Sequence, residues 1–439
     1  MFERKAYSQL EEWKEKYGTR YAALLEGPRR VGKSTIAEEF AKKNFRTYIK
    51  VDFSNIGKQM LSVFDDIAEI DSFFLRLQAV SGVKLYEKES AIIFDEIQRK
   101  PEVRQAIKHL VADGRFYYIE TGSLISIKKN IKNIVIPSEE HKIQIYPMDC
   151  EEFTWAIEKN YDVLRDLYKT GKPVGNEVNR KLMRDFRIYM AVGGMPQAVE
   201  AFVEKQDFGT IDAVKREIID LYEDDFHRID PSGRISRLYA SVPSMLSNKT
   251  RFVISNALGK RLSNKDLELF SELLDSKTVL VANNVTDPSI ALNLSASVDT
   301  FKLYLADTGL FTTLMFKTHS DIYAKLMSDK LETNLGYMYE NVVAQIMAST
   351  GRRLYYHTWP KENSTHTYEV DFLVSSHTKI VPFEVKSSSV RFHDSINVFA
   401  EKYSSKVYKQ YLLSQKDVGK DESLYLKPIY MLPFVLEDL

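Results

Sequence analysis

Between Tyr21 and Ser123 the sequence predicts an α/β domain on a parallel sheet. The first observation is alternation: short apolar runs suited to buried strands take turns with stretches of helical period. The second is a glycine-rich run, Gly27-Pro28-Arg29-Arg30-Val31-Gly32-Lys33-Ser34, placed between a strand and a helix. The third is an apolar strand that ends in two acids, Ala91-Ile92-Ile93-Phe94-Asp95-Glu96. The strands expected are Tyr21–Glu26, Thr47–Asp52, Ala91–Asp95 and Phe116–Glu120. Helices are expected after the first, before the third and between the third and fourth.

The glycine-rich run is a complete G-x-x-x-x-G-K-[ST], and its parts divide one task. The loop curls so that backbone N–H groups point inward at phosphates, and the following helix offers its positive end. Lys33 is the expected partner of the β- and γ-phosphates, Ser34 a ligand of Mg2+, and Thr35 a support for the α-phosphate. Asp95 then orients the magnesium through its water, and Glu96 polarises the water that attacks the γ-phosphate. Thr121-Gly122-Ser123 ends the next apolar strand, where Thr121 or Ser123 is placed to sense the γ-phosphate. ATP with Mg2+ is the cofactor expected, in a P-loop NTPase core.

Beyond the core, Glu151 to Asp225 is charged and helical, with one sharp interruption at Gly193-Gly194-Met195-Pro196. Helices at Arg234–Leu246 and Lys265–Leu274, with strands at Thr278–Asn283 and Phe301–Ala306, suit a small winged helix. From Leu331 a long helix leads into a hairpin, Tyr368–Val374 and Ile380–Lys386, joined by Ser375-Ser376-His377-Thr378. If Val374 pairs with Lys379, Asp371 lies opposite Pro382, and Glu384 and Lys386 share its face by period two. Two carboxylates and a lysine so placed suit a divalent metal, Mg2+ or Mn2+, and a water aimed at a phosphodiester. Pro382 removes a strand donor and implies an edge or a bulge.

Bulk properties bound the rest. A chain of 439 residues needs several cores, and its 61 basic and 61 acidic residues cancel, so any contact with DNA or RNA must come from a local patch. The single cysteine, Cys150, excludes an internal disulfide. No window approaches the roughly 20 apolar residues of a membrane span, and the amphipathic Tyr7–Lys16 stands where a signal core would, so a cytoplasmic location without membrane contact is expected.

The P-loop, Asp95-Glu96-Ile97-Gln98, the Thr-Gly-Ser strand end, and Tyr146-Pro147-Met148-Asp149 followed by Glu151-Glu152-Phe153 together resemble the AAA-type ATPases of bacteria and archaea that carry a C-terminal domain of unknown function. The resemblance extends to Gly193-Gly194-Met195-Pro196 and to Lys302–Leu310. It implies an ATPase core at 1–155, a helical lid at 156–226, a winged helix at 227–330 and a restriction-endonuclease-like α/β domain at 331–439. Gly-Gly-Met-Pro also resembles the lid motif of signalling ATPases, which puts Pro196 near the adenine. The hairpin resembles the PD-(D/E)XK nucleases, with Asp371, Glu384 and Lys386 on the motif positions and Glu340 as the additional acid. Family members often carry a Gly-Arg pair where this chain has Pro137-Ser138-Glu139-Glu140-His141-Lys142, so no arginine finger is placed there. Arg104, Arg184 and Arg187 are the remaining candidates, each also readable as exposed helix charge.

Three functions compete on these grounds. One is an ATP-driven enzyme acting on DNA or RNA. Another is a nucleotide-operated switch or assembly platform, with a homo-oligomer or a protein partner and a nuclease-like fold used only for docking. The third, a P-loop kinase, is disfavoured by Glu96 beside Asp95, which suits activation of water.

Overall fold

The computed structural model describes residues 1–123, 137–205, 207–247, 264–316, 320–329, 335–362, 364–387 and 393–439. Two compact units result: Met1–Tyr146 with Asp275–Lys277, and Pro147–Leu274 with Thr278–Leu439.

The first unit contains α1 (Ala6–Lys16), β1 (Ala22–Glu26), α2 (Lys33–Asn44), β2 (Thr47–Asp52), α3 (Lys58–Leu61), α4 (Ile70–Ser81), β3 (Ser90–Asp95), α5 (Pro101–Asp113), β4 (Tyr117–Gly122) and β5 (Glu140–Gln144). Its strands form one parallel sheet in the order β2-β3-β4-β1-β5. Side-chain alternation sorts the sheet into two faces. Ala23, Leu25, Ile93 and Ile119 meet Leu10 and Trp13 of α1 and Ile36 and Phe40 of α2. Ile92, Phe94 and Tyr118 meet Phe73 and Leu77 of α4 and Ile107 and Leu110 of α5. Both faces are covered, which is why these strands are continuous apolar runs. The four expected strands are present, and β4 runs two residues further, to Gly122.

Arg104 of α5 is buried, and its guanidinium forms a two-pronged ion pair with Glu140 of β5 at 2.7 Å through both nitrogens. Reading it as exposed helix charge is therefore a mistake: burial and a bidentate partner make it an internal tie between helix and strand. Beside it, Glu120 is fully buried, with no hydrogen-bond partner on either oxygen among the described residues. Burial, helped by Glu140, holds its acid well above the usual carboxylate range.

The second unit opens with α6 (Cys150–Ala156), α7 (Asp162–Lys169), α8 (Asn176–Val192), α9 (Pro196–Lys205), α10 (Phe208–Ile229), α11 (Arg234–Ser247) and α12 (Asn264–Asp275). The Asp149…Glu152 landmark has a local cause: the Asp149 carboxylate accepts from Glu152 N at 3.0 Å and Glu152 accepts from Asp149 N at 3.2 Å, a capping box starting α6. There follow β6 (Val279–Val285), β7 (Ala296–Leu305), α13 (Thr308–Met315), α14 (Ser320–Met327), α15 (Gly336–Ser349), β8 (Leu354–Pro360), β9 (Thr367–Ser376), β10 (Lys379–Val385), α16 (Asp394–Lys402), β11 (Gln410–Ser414), β12 (Gly419–Asp421), β13 (Leu424–Pro428) and α17 (Leu432–Glu437). Its eight strands form one mixed sheet in the order β12-β13-β11-β10-β9-β8-β6-β7.

The two strands read for a winged helix, β6 and β7, do form an antiparallel pair. However, β6 also pairs in parallel with β8, at Ala282↔Leu354 through Asn284↔Tyr356, so a division at 330 runs through one hydrogen-bonded sheet. Part of the winged-helix region, 248–263, and the first residues of the helix read from Leu331 lie outside the described residues. No described helix is long and apolar enough to cross a membrane.

Candidate functional site

In the first unit the site forms where β1, β3 and β4 end together. The loop between β1 and α2 turns through Arg30 at φ 67° and Gly32 at φ 95°, the left-handed region that glycine enters without cost. α2 then begins at Lys33, so its unsatisfied N–H groups face the loop. Lys33 curls back: its ammonium donates to the carbonyls of Gly27 at 3.0 Å and Pro28 at 2.9 Å. It is buried with only neutral oxygens bound, and burial pulls its pKa down to about 8 against the attraction of Glu96 and Asp95. This is a cation held ready for an anion.

Ser34 and Asp95, 61 residues apart, meet at 2.6 Å, the Ser34 hydroxyl donating to Asp95 Oδ1. Thr121 donates its hydroxyl to the same carboxylate oxygen and accepts from Glu96 N at 3.2 Å. Of the two candidates in Thr121-Gly122-Ser123, it is thus Thr121 that joins this network; Ser123 lies just beyond the strand's end. Parallel pairing explains the convergence, because β1, β3 and β4 are adjacent and finish at the same edge. Sequence reasoning missed Lys50 of β2, which bridges Glu38 at 2.9 Å and lies 3.6 Å from Asp95 Oδ2. Glu96 adopts φ 56°, and its carboxylate accepts from the Gln98 side chain. The hard oxygens of Ser34 and Asp95 suit Mg2+, and the buried Lys33 suits a phosphate. Gly27, Pro28, Arg29, Arg30 and Val31 supply the loop between them, and Thr35 lies in the first turn of α2.

In the second unit the hairpin register differs from the expected one. Val374 pairs with Val381 and Phe372 with Phe383, because the turn is only His377-Thr378, with Ser376 opposite Lys379. Leu373, and not Asp371, is therefore opposite Pro382. The displacement is two residues, so the parity of the faces survives and Asp371, Glu384 and Lys386 stay on one face. Pro382 is in an interior strand, not at an edge. Ile380 N donates to Lys406 O on the β11 side, so Pro382, two residues on, takes nothing from its ladder with β9.

The carboxylates come together. Asp371 is buried and accepts from Val385 N at 2.8 Å, and Glu384 bonds Lys386 at 2.6 Å through Oε1 while its buried Oε2 has no hydrogen-bond partner among the described residues. Burial, then Glu384 and Glu340, holds the Asp371 acid well above its ordinary range. Burial likewise raises Glu384, with Lys386 opposing. Glu340 of α15 is engaged by Lys302, at 3.3 Å, and by the Tyr304 hydroxyl, at 3.3 Å, while Lys302 also holds Glu369 at 2.6 Å. Lys302, the cation sequence reasoning passed over, keeps its charge against burial because Glu340, Tyr304 and Glu369 surround it. Among the described residues no group of three or more His, Cys, Asp or Glu is arranged to hold a metal ion. The donors fit one only in part, through Asp371 and the free oxygen of Glu384.

The remaining landmarks meet elsewhere in this unit. Asp307 caps α13 through Leu310 N at 2.8 Å and accepts from Gly194 N at 2.6 Å; Gly194 O in turn accepts from Met148 N at 2.7 Å. Nearby, Lys215 is fully buried and donates to Ala191 O at 2.7 Å and the Tyr323 hydroxyl at 3.0 Å. Burial brings it down to about 7, opposed by Asp212 and Asp307. Gly-Gly-Met-Pro thus has a packing role, and Pro196 opens α9.

Residues 19–154 match the AAA domain family. Residues 183–321 and 335–431 match two domains of unknown function, DUF8612 and DUF4143. No curated protein matches the chain. Among solved structures, a Walker-type ATPase of Pyrococcus abyssi is 18% identical over 72% of this chain and 96% of its own, with a TM-score of 0.44. The Holliday-junction branch-migration motor RuvB of Thermotoga maritima is 14% identical over 64% and 90%, at 0.30. Cdc6p of Pyrobaculum aerophilum is 14% identical over 75% and 94%, at 0.26.

Proposed function

With residues 19–154 forming an AAA-type P-loop ATPase domain, we propose that this protein binds ATP with Mg2+ there and hydrolyses it. The observation that carries this reading is the Ser34–Asp95–Thr121 hydrogen-bond network beside the buried, carboxylate-free ammonium of Lys33. Magnesium, held through Ser34 and Asp95, would supply neutralisation of the phosphate charge. Ser34 supplies its hydroxyl to that ion and Asp95 orients it. Lys33 exchanges two loop carbonyls for phosphate oxygens. Thr121 holds Asp95 in line and senses the γ-phosphate. Glu96, released from Gln98, takes a proton from the attacking water. Glu96→Gln should therefore bind ATP normally yet release phosphate at least roughly tenfold more slowly. Phosphate release at the parental rate, measured in single turnover, would remove Glu96 from the mechanism.

A second activity, cleavage of DNA or RNA, is supported by the buried acids Asp371 and Glu384, the latter with an oxygen that meets no partner among the described residues, and by the adjoining Lys386. A divalent ion bound there through those two acids, with Glu340 as an outlying third, would supply Lewis-acid chemistry. The expected outcome is cutting of a labelled strand with Mg2+ or Mn2+, abolished in Asp371→Ala and Glu384→Ala. A wild type silent on single-stranded, duplex and branched substrates with ATP present would favour the competing reading, a nucleotide-operated switch with a docking domain.

A further inference from the structure

The second unit holds a groove of about 1350 Å³ that neither reading uses. One wall is α8, and the other is formed by the ends of α14 and β11 together with Ser387. Arg180, Arg184 and Arg187 line it at a spacing of four and three residues, so all three project from one helix face. Lys416 adds a fourth cation from the opposite wall.

The arginines differ in what already satisfies them. Arg180 has a weak exposed pair with Glu177 at 3.4 Å. Arg184 is exposed. Arg187 is only 8% exposed, and it donates to two neutral oxygens, Met327 O at 3.2 Å and Gln415 Oε1 at 2.5 Å. No carboxylate among the described residues pairs with it. A buried guanidinium without a counter-charge is costly unless an anion completes it. The lining also carries two acids, Asp417, which accepts from Val174 N and Gly175 N, and Asp329, which accepts from Gln415 Nε2, so the four cations leave the groove positive.

We propose that this groove seats the phosphate backbone of a single-stranded nucleic acid, with Arg184, Arg187 and Lys416 on successive phosphates. The volume exceeds that of an ordinary small-ligand pocket, and the arginine row extends about 10.5 Å along the helix axis at 1.5 Å per residue. A single strand can press a phosphate down to Arg187. A duplex carries its phosphates on the outside of a stiff rod and cannot. The groove also adjoins the carboxylate pair, because its lining residue Ser387 directly follows Lys386 and is fixed by Gln415 at 2.5 Å. The inference rests on the second reading above for its choice of polymer, but binding is measurable without cutting.

The test is fluorescence anisotropy of labelled dT20 and U20 on the full chain in EDTA, from 50 to 300 mM KCl. Arg184→Ala/Lys416→Ala, both at exposed positions, should bind at least roughly tenfold more weakly. Its slope of log affinity against log salt should fall by about 1.4, at about 0.7 per phosphate. Arg187→Gln, which removes the buried charge, should also weaken binding. Equal affinity and slope in the double variant, no binding by the wild type at 50 mM KCl, or tighter binding of a 20-base-pair duplex would each overturn the proposal. Heparin binding through these residues without oligonucleotide binding would overturn it in favour of another polyanion. Wild type that binds strands but never cuts them with Mg2+ or Mn2+ leaves the groove standing and removes the nuclease reading. Cutting that persists while the double variant binds normally does the reverse.

Discussion

Lys33→Ala is expected to bind ATP with Mg2+ at least about a hundredfold more weakly, about 3 kcal/mol, the order for deleting one partner of a desolvated charge pair. The loss should be that large because Lys33 is the loop's buried cation. Its two present partners, the carbonyls of Gly27 and Pro28, are neutral and easily exchanged for phosphate oxygens. The pH dependence follows with a definite sign. The free protein holds Lys33 near 8, and bound phosphates favour the charged form and raise it. Affinity is therefore full below pH 8 and falls as pH rises beyond it, by up to tenfold per unit, until the bound-state pKa is passed. Isothermal titration from pH 6.5 to 9.5 checks both claims. A flat profile in the parent would show that Lys33 is not the titrating contact, and intact affinity in Lys33→Ala would sink the nucleotide site itself.

How much of this was legible in the sequence depends on how local each cause is. The P-loop and the two acids at the end of β3 are each contiguous, and parallel pairing brings their ends together whatever the surroundings. Strand β4 needed only its apolar run; that Thr121 meets Asp95 needed the fold. The faces of the hairpin were readable because period two tolerates a register error of two, although the turn was read as four residues where it is two. Lys50 and Lys302 were out of reach, and Arg187, readable as exposed helix charge, is in fact buried. Each is an ordinary basic residue in sequence, and its meaning comes from partners such as Glu38, Glu340 or a groove wall that are distant along the chain. The same holds for Arg104, whose partner lies 36 residues away. The parallel ladder joining β6 to β8 was hidden for a related reason, since strand propensity says nothing about which strands will be neighbours.

Gly194→Ala is expected to destabilise the second unit by about 3 kcal/mol, the upper range for forcing atoms into a packed site. A Cβ at this position would lie 2.0 Å from Met148 O and 2.6 Å from Met148 N. Those are backbone atoms, so no side chain can swing aside, and moving them breaks the Met148 N to Gly194 O bond at 2.7 Å. It also disturbs the bond from Gly194 N to Asp307, a buried acid raised by burial and brought back in part by that N–H and by Leu310 N. An unbonded Asp307 would carry its desolvation cost with less compensation. In a unit this large, about 3 kcal/mol corresponds to a fall of about 5 °C in melting temperature. Gly57→Ala is the control, because a Cβ there would meet nothing within 4 Å, and it should leave the melt unchanged. Calorimetry of the full chain separates the cases. A Gly194→Ala transition within a degree of the parent would mean that Met148 and Gly194 are not in backbone contact, and the packing reason for Gly-Gly-Met-Pro would go with it.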